Sequence, residues 1–290
     1  MEKVVVKVPG SCGELIQGFY GGSECLVSYA IDCYSKVTIK RTDHFKMCIN
    51  HKSEKAYEAY NRACNMFNLD SKKYEIDISS DIPVGKGMAS STADIVGVIV
   101  AVATMAGKPI QPDWVGKMAA DIEPTDNIMF KEWVLFNHLS GELIESYKAF
   151  GDLSVVILEM DEVVDTKKLR QTGAFSKESK PNPSRALELL KEAVKCKNLK
   201  VLGQAMKLSA IENQSILFKP YLEELIGLSE AYKIVGINSA HSGSVLGIVF
   251  ETGLDPSEFL KEAESLGYLK PYKKRYIHKI IEGGPSIETF

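Results

Sequence analysis

The chain has 290 residues, of which 45% are hydrophobic and 25% are charged. This composition is ordinary for a globular protein of one large or two smaller domains, and no apolar run is long enough to cross a bilayer. The net charge of −3, with both signs mixed along the chain, gives no indication of binding to nucleic acid or to an anionic membrane surface.

Hydrophobic patterns predict interleaved strands and helices in the first half of the chain. Apolar side chains at alternate positions predict strands over residues 4–8, 36–41 and 74–79. Apolar side chains at helical spacing predict helices over residues 55–67, 95–106 and 112–121. The third strand leads into a turn rich in glycine and serine, and the second helix follows that turn.

The second half of the chain continues the same alternation. Strands are predicted over residues 153–158, 245–250 and 275–281. Helices are predicted over residues 184–195, 199–212, 220–232 and 256–266. Gly151 and Asp152 mark a plausible domain junction, and the polar, proline-rich residues 176–184 predict a loop or linker. Elements interleaved in this way predict an α+β protein.

The turn over residues 82–95 is the most informative segment. Gly85 and Gly87 permit a backbone path that side chains would block, while Ser90 and Ser91 supply hydroxyl groups. Backbone N–H groups of such a turn, with the positive end of the helix behind it, form an anion site. The spacing fits neither a Walker loop nor a dinucleotide fingerprint. A serine-capped turn leading into a core helix fits the residue types equally well.

This turn resembles the second motif of the GHMP kinases, a family that phosphorylates galactose, homoserine, mevalonate and phosphomevalonate. The matching residues are Pro83, Gly87, Met88, Ala89, Ser90, Ser91, Thr92 and Ala93, with Ala89 in place of a glycine. Residues 9–18 resemble the first family motif and residues 240–247 the third, so the resemblance spans most of the chain. The strings over residues 11–18, 86–95 and 122–126 are similar to the branch that contains the L-threonine kinases of cobalamin biosynthesis.

The resemblance implies a two-domain α+β fold, with mixed or antiparallel sheets packed with helices and the active site between the domains. Residues 1–151 would carry the first two motifs, and residues 152–290 the third. The implied reaction is ATP- and Mg²⁺-dependent phosphorylation of the L-threonine hydroxyl, which gives O-phospho-L-threonine and ADP. L-Serine and L-homoserine stay open as acceptors, since each differs by one methyl or methylene group. The alternative of another class is a non-catalytic ligand-binding sensor with the same fold.

The segment over residues 121–127 matches the catalytic region of the family. By position, Asp126 is implied to lie at the acceptor hydroxyl, as a general base or as a group that only orients the hydroxyl. Ser91 and Glu123 are the implied magnesium ligands. In the family, the carboxylate that binds the metal lies upstream of the residue that corresponds to Asp126. This chain has no acid at that distance from Asp126, although Asp113 and Asp121 flank the position.

Two larger sets of binding residues follow from the three motifs. The implied ATP and phosphate ligands are Pro83, Val84, Gly85, Lys86, Gly87, Met88, Ala89, Ser90, Ser91 and Thr92. The implied substrate-binding residues are Ser11, Glu14, Gln17, His241, Ser242, Gly243 and Ser244. Glu14 is suited to bind an ammonium group. His241 could contact a phosphate or the substrate carboxylate, or it could make a structural hydrogen bond. For Lys86, a solvated loop lysine is favoured over a phosphate contact.

The remaining cysteines and histidines give weaker signals. The six scattered cysteines form no Cys-x-x-Cys pair, and the start of the chain reads as a strand rather than a leader, so we expect reduced thiols in the cytoplasm. His138 has no metal-ligand spacing and is interpreted as a surface or structural residue. The implied partners are ATP and an amino-acid alcohol, with neither nucleic acid nor membrane, and a homodimer is left open.

Overall fold

The computed structural model describes residues 2–49, 54–161 and 182–290. Its helices are α1 Glu54–Met66, α2 Ser90–Met105, α3 Pro112–Ala120, α4 Ser184–Cys196, α5 Leu199–Asn213, α6 Leu222–Ser229 and α7 Ser257–Ser265. Its strands are β1 Lys3–Tyr20, β2 Ser23–Arg41, β3 Lys46–Ile49, β4 Tyr74–Ser80, β5 Trp133–Asn137, β6 Glu142–Tyr147, β7 Leu153–Met160, β8 Ile234–Ser239, β9 Val245–Glu251, β10 Tyr272–Ile281 and β11 Ser286–Thr289. The predicted α+β class is therefore confirmed.

All eleven described strands belong to one connected sheet. Its main path runs β11-β1-β8-β9-β7-β10-β2-β4-β3, and β1 also pairs with β2. The β5–β6 hairpin joins through β2. Apart from the parallel pair β3–β4, the described pairings are antiparallel. Strands from both halves of the chain thus meet at the two long N-terminal strands.

The first motif lies inside β1 rather than in a separate turn. The register between β1 and β2 shifts at Pro9/Gly10, between Ser11 and Glu14, and again between Glu14 and Ile16. Such irregularities bend a strand and redirect its side chains. The first residues of β1 are regular. The irregularities after them explain why Ser11 and Glu14 do not follow the regular alternation of the sheet.

Helix α2 runs through the core and brings its N-terminus to the site. Fourteen of its 16 residues are buried, which agrees with the predicted apolar run. Gly97 is required for its close approach to the sheet, because a Cβ at this position would lie 2.6 Å from Cγ2 of Val37 on β2. A second, smaller core packs α6 and α7 against β7, β8 and β9.

Most predicted elements are present with boundaries that differ by one to three residues, whereas β1 and β2 are much longer than predicted. Strands β3, β5, β6, β8 and β11 were not predicted. The predicted linker over residues 176–184 lies outside the described residues except for its last three.

All six cysteines are free of disulfides. No described helix combines the length and apolar character that a membrane crossing requires.

Candidate active site

The N-terminus of α2 opens into a cavity without a side-chain cap. Ala89 occupies the N-cap position in the left-handed conformation, with φ 60° and no capping hydrogen bond from its side chain. This conformation favours glycine, which explains why the resembled motif has glycine there. The first N–H groups of a helix have no partner within the helix, so they are available to an anion. Ser90 Oγ is also buried and has no hydrogen-bond partner among the described residues.

Backbone hydrogen bonds join the loop over residues 82–89 to the two other motifs. Ser11 N donates to Met88 O at 3.1 Å, and Gly13 N donates to Gly87 O at 3.3 Å. Ser244 N donates to Lys86 O at 3.0 Å. The carbonyl groups of the loop therefore hold it against the first and third motifs. The three sequence motifs converge on one site.

Asp126 lies within hydrogen-bonding distance of two serines from the first two strands. Ser28 Oγ donates to Asp126 Oδ1 at 2.6 Å, and Ser11 Oγ donates to Asp126 Oδ2 at 3.1 Å. Its backbone N–H donates to Thr92 Oγ1 at 3.3 Å, which ties it to the first turn of α2. Burial raises the pKa of Asp126, while the two serine hydrogen bonds lower it. A carboxylate in this setting is oriented and able to accept a proton.

Glu14 is a second buried carboxylate close to Asp126. It is 5% exposed, and Oε2 accepts a hydrogen bond of 2.5 Å from the His241 backbone N–H. Burial raises the pKa of Glu14 well above its usual range, and the negative charge of Asp126 raises it further. Two neighbouring carboxyl groups are difficult to ionise at the same time, because their negative charges repel each other. A cationic ligand between them would therefore be favoured.

Glu24, His138 and His241 form a buried cluster, and the two histidines of the cluster line the cavity. Glu24 Oε2 lies 2.7 Å from His138 Nε2 and 3.9 Å from His241 Nε2. The two imidazole centroids are 5.0 Å apart. The three side chains could each offer one ligand atom to a metal ion, but the 2.7 Å contact is a hydrogen-bond distance. No local sequence pattern indicates this cluster, because more than a hundred residues separate Glu24 from His138 and His138 from His241.

The oxygen donors near Glu123 fit a hard divalent cation. Lys55 Nζ pairs with Glu123 Oε2, while Oε1 is buried and has no hydrogen-bond partner among the described residues. Ser91, in the first turn of α2, lines the same cavity as Glu123. Magnesium favours carboxylate and hydroxyl oxygens and often takes only one or two ligands from the protein. The orphaned oxygen of Glu123 is therefore available to such a cation, and its role as a magnesium ligand stays a prediction.

Lys86 corrects one expectation from the sequence. It is 8% exposed, and Nζ donates to Met160 O at 2.7 Å and lies 3.3 Å from Glu159 Oε1. The expectation of a solvated loop lysine is wrong, because the side chain crosses from the loop to β7. This contact anchors the loop to the strand, and the side chain is absent from the cavity wall.

Substitution Lys86→Met should lower the free energy of unfolding by about 3 kcal/mol, because it leaves buried Glu159 without its buried partner. Lys274 provides a matched control, since its Nζ lies 3.5 Å from the same Glu159 oxygen while its side chain is 61% exposed. Lys274→Met should cost less than about 1 kcal/mol. Urea unfolding of both variants tests this difference, and equal losses would contradict it.

The cavity that contains these groups has a volume of about 740 Å³, within the usual range for small-molecule sites. The predicted site residues on its wall are Glu14, Val84, Gly85, Gly87, Met88, Ala89, Ser90, Ser91, Thr92, Glu123, Asp126, His241 and Ser242. The predicted residues outside the wall are Ser11, Gln17, Pro83, Lys86, Gly243 and Ser244. A separate cavity of about 450 Å³ has a mainly apolar lining and contains none of the predicted site residues.

Comparison with known proteins agrees with this geometry. Residues 53–130 match the model of the GHMP kinases N terminal domain. A homoserine kinase structure from Cytophaga hutchinsonii superposes with a TM-score of 0.73 at 13% identity, covering 99% of this chain and 98% of that one. The fold is therefore that of the GHMP kinases, as the three motifs predicted.

Two curated relatives resemble the chain along nearly its whole length. An L-threonine kinase from Citrobacter freundii is 31% identical over 98% of this chain and 99% of that protein. An L-threonine kinase from Salmonella typhimurium is also 31% identical, over 98% of this chain and 95% of that protein. The chain belongs to the L-threonine kinase family of GHMP kinases, and the predicted family is confirmed.

Proposed function

We propose that this protein transfers the γ-phosphoryl group of ATP to the side-chain hydroxyl of L-threonine, giving O-phospho-L-threonine and ADP for cobalamin biosynthesis. One observation carries the proposal. The uncapped N-terminus of α2 and the paired acids Asp126 and Glu14 share one cavity. An anion site thus lies beside a carboxylate that can orient a hydroxyl and an acid that can hold an ammonium group.

The phosphate end of the cavity is supplied by the loop over residues 82–89 and the first turn of α2. Its free backbone N–H groups and the helix dipole favour the negative charge of a polyphosphate. Ser91 and Glu123 would hold a magnesium ion, which supplies neutralisation of phosphate charge when it is bound. Residues 1–151 would carry this nucleotide end, while residues 152–290 contribute the third motif.

The acceptor end is supplied by Asp126 and Glu14. Asp126, held by Ser11 and Ser28, would orient the threonine hydroxyl and accept its proton as the new P–O bond forms. A loose phosphoryl-transfer transition state needs little early deprotonation, so positioning is the larger part of this role. Glu14 would bind the substrate ammonium group, since burial beside Asp126 favours a cation there.

A direct assay tests the proposal. Purified protein is incubated with MgATP and, in turn, L-threonine, L-serine, L-homoserine and mevalonate, and ADP and the phosphorylated product are measured. We expect turnover to be fastest with L-threonine and absent with mevalonate. Turnover fastest with L-homoserine would assign the other acceptor, and no turnover with any hydroxy amino acid would favour the ligand-binding sensor.

The acid side of the pH profile should depend on Ser28. Its hydrogen bond stabilises ionised Asp126, so Ser28→Ala should raise the Asp126 pKa. The base form is then lost at higher pH, and the acid-side fall of kcat/KM should shift upward. Ser154→Ala, which removes a buried hydroxyl bonded to Thr252, is the control and should leave this limb in place. An unchanged limb in Ser28→Ala would show that Asp126 is not the titrating group.

A further inference from the structure

The proposed function gives no role to two imidazole side chains on the cavity wall. His138 and His241 both line the cavity, and each is only 6% exposed. Their ring centroids are 5.0 Å apart, so the two rings are in contact. We call these two side chains the imidazole pair. Imidazole groups that face a binding cavity are able to donate hydrogen bonds to an anionic ligand, and they carry positive charge when protonated.

Backbone hydrogen bonds hold both histidines next to the acids of the acceptor end. The His241 N–H donates to Glu14 Oε2 at 2.5 Å, so this residue directly contacts the acid that is proposed to bind the ammonium group. The carbonyl oxygen of His138 accepts a hydrogen bond of 2.9 Å from the N–H of Thr125, the residue before Asp126. The imidazole pair therefore belongs to the same part of the cavity as the two acids.

Glu24 favours the protonated form of the imidazole pair. This carboxylate is 5% exposed, and its Oε2 lies 2.7 Å from His138 Nε2 and 3.9 Å from His241 Nε2. A buried carboxylate at such distances stabilises an imidazolium. An imidazolium donates from both ring nitrogens, so a ring bonded through Nε2 has a second N–H at Nδ1. One carboxylate neutralises only one of two imidazolium charges, which leaves the cluster able to take a second carboxylate.

An amino-acid substrate brings such a carboxylate to this place. Its ammonium nitrogen and its carboxylate carbon are both bonded to Cα and lie only about 2.5 Å apart. If Glu14 binds the ammonium group, the carboxylate lies among the residues that contact Glu14. Lys55, the only lysine among the described residues of the wall, is paired with Glu123. The imidazole pair is the remaining source of positive charge on the described wall.

We propose that the imidazole pair, held by Glu24, binds the α-carboxylate of the acceptor amino acid. This inference rests on the proposed kinase function, and it defines the acceptor as an amino acid rather than an amino alcohol. The substrate places its carboxylate at the imidazole pair, its ammonium group at Glu14 and its hydroxyl at Asp126. Glu24 is a positioning residue, because it acts through the two imidazoles.

The first test compares L-threonine with L-threoninol, in which a hydroxymethyl group replaces the carboxylate. The wild-type enzyme should favour L-threonine by about a hundredfold in kcat/KM, as expected for charge-assisted hydrogen bonds. His138→Gln and His241→Gln should each lower kcat/KM for L-threonine by about 10- to 100-fold. Turnover of L-threoninol should change by less than about threefold in either variant, since it lacks the carboxylate.

Glu24→Gln tests the positioning role. The amide keeps the size of the side chain but does not stabilise an imidazolium, so KM for L-threonine should rise and the preference over L-threoninol should fall. His278→Gln is the matched control, because His278 Nδ1 lies 2.9 Å from Asp32 Oδ1 in a second histidine–carboxylate pair that is not part of the cavity wall. This control should leave the preference unchanged.

The other outcomes separate the inference from the proposed function. A wild-type enzyme that does not distinguish the two substrates, or histidine variants that lose both activities equally, would overturn the carboxylate site. One equivalent of zinc retained by the purified protein and lost in His241→Gln would also overturn it, since the cluster would then hold a metal ion. Absence of turnover with any hydroxy amino acid would instead refute the proposed function. The wild-type comparison decides the question even if a variant folds poorly.

Discussion

Substitution Asp126→Asn should reduce kcat by about 10²- to 10⁴-fold, the range expected for loss of a positioned acid–base group. The amide keeps the size of the side chain and can still contact Ser11 and Ser28. It cannot accept a proton in the same way, and it removes the negative charge that faces the hydroxyl. Binding of ATP should change little, because the loop and the first turn of α2 remain intact.

The same substitution should leave stability unchanged or raise it at neutral pH. Burial raises the folded-state pKa of Asp126, so the folded protein holds this proton more strongly than the unfolded chain does. The ionised group therefore opposes folding above its folded-state pKa, and the penalty shrinks as pH falls through that pKa and is gone below the unfolded-state pKa. An amide does not carry this penalty. Functional groups often lower stability in this way.

Kinetics, ATP titration and thermal unfolding of Asp126→Asn together separate function from folding. A large loss of kcat with retained ATP affinity and an unchanged or higher Tm is the expected combination. Activity near the wild-type level would remove Asp126 from the mechanism. A strong loss of stability together with activity would show that Asp126 is mainly structural.

Substitution Gly243→Ala should reduce kcat/KM by about a hundredfold and destabilise the protein by about 1–3 kcal/mol. A Cβ at Gly243 would lie 2.2 Å from the carbonyl oxygen of Lys86 and 2.3 Å from Cα of Gly87. Both atoms are backbone, so the loop that faces the phosphates must move. Displacement by about 1 Å is enough to cost this factor in a positioned reaction.

Gly227→Ala is the matched control for this prediction. A Cβ at Gly227 in α6 meets no atom within 4 Å, and alanine favours the helical conformation. This variant should retain activity and become slightly more stable. Steady-state kinetics and urea unfolding of the two variants measure the difference. Normal kcat/KM in Gly243→Ala would show that contact between the third motif and the loop is unimportant.

Local sequence patterns were sufficient for much of the fold. Helix α1 and strand β4 were predicted within one residue at each end, since regular spacing of apolar side chains marks both. The bulges of β1 hid its full length, because irregular register breaks the alternation on which strand prediction depends. β5 was missed because all five of its residues are buried, so it has no alternation.

The candidate site was predictable only where its residues are close in sequence. The phosphate-facing loop is one continuous motif, so its glycines and serines predict an anion site without knowledge of the fold. Glu24 and His138, by contrast, meet through β2 and the segment after β5, and Glu14 meets the backbone of His241, which is more than two hundred residues further along the chain. Such contacts depend on tertiary packing.

A crystal structure of the protein with a non-hydrolysable ATP analogue, Mg²⁺ and L-threonine would locate both substrates relative to α2 and Asp126. We predict the terminal phosphate at the N-terminus of α2, within reach of the backbone N–H groups of Ser90 and Ser91. The threonine hydroxyl should lie within hydrogen-bonding distance of Asp126. A nucleotide bound away from this helix, or a threonine whose hydroxyl points away from Asp126, would contradict the proposed phosphoryl transfer at this site.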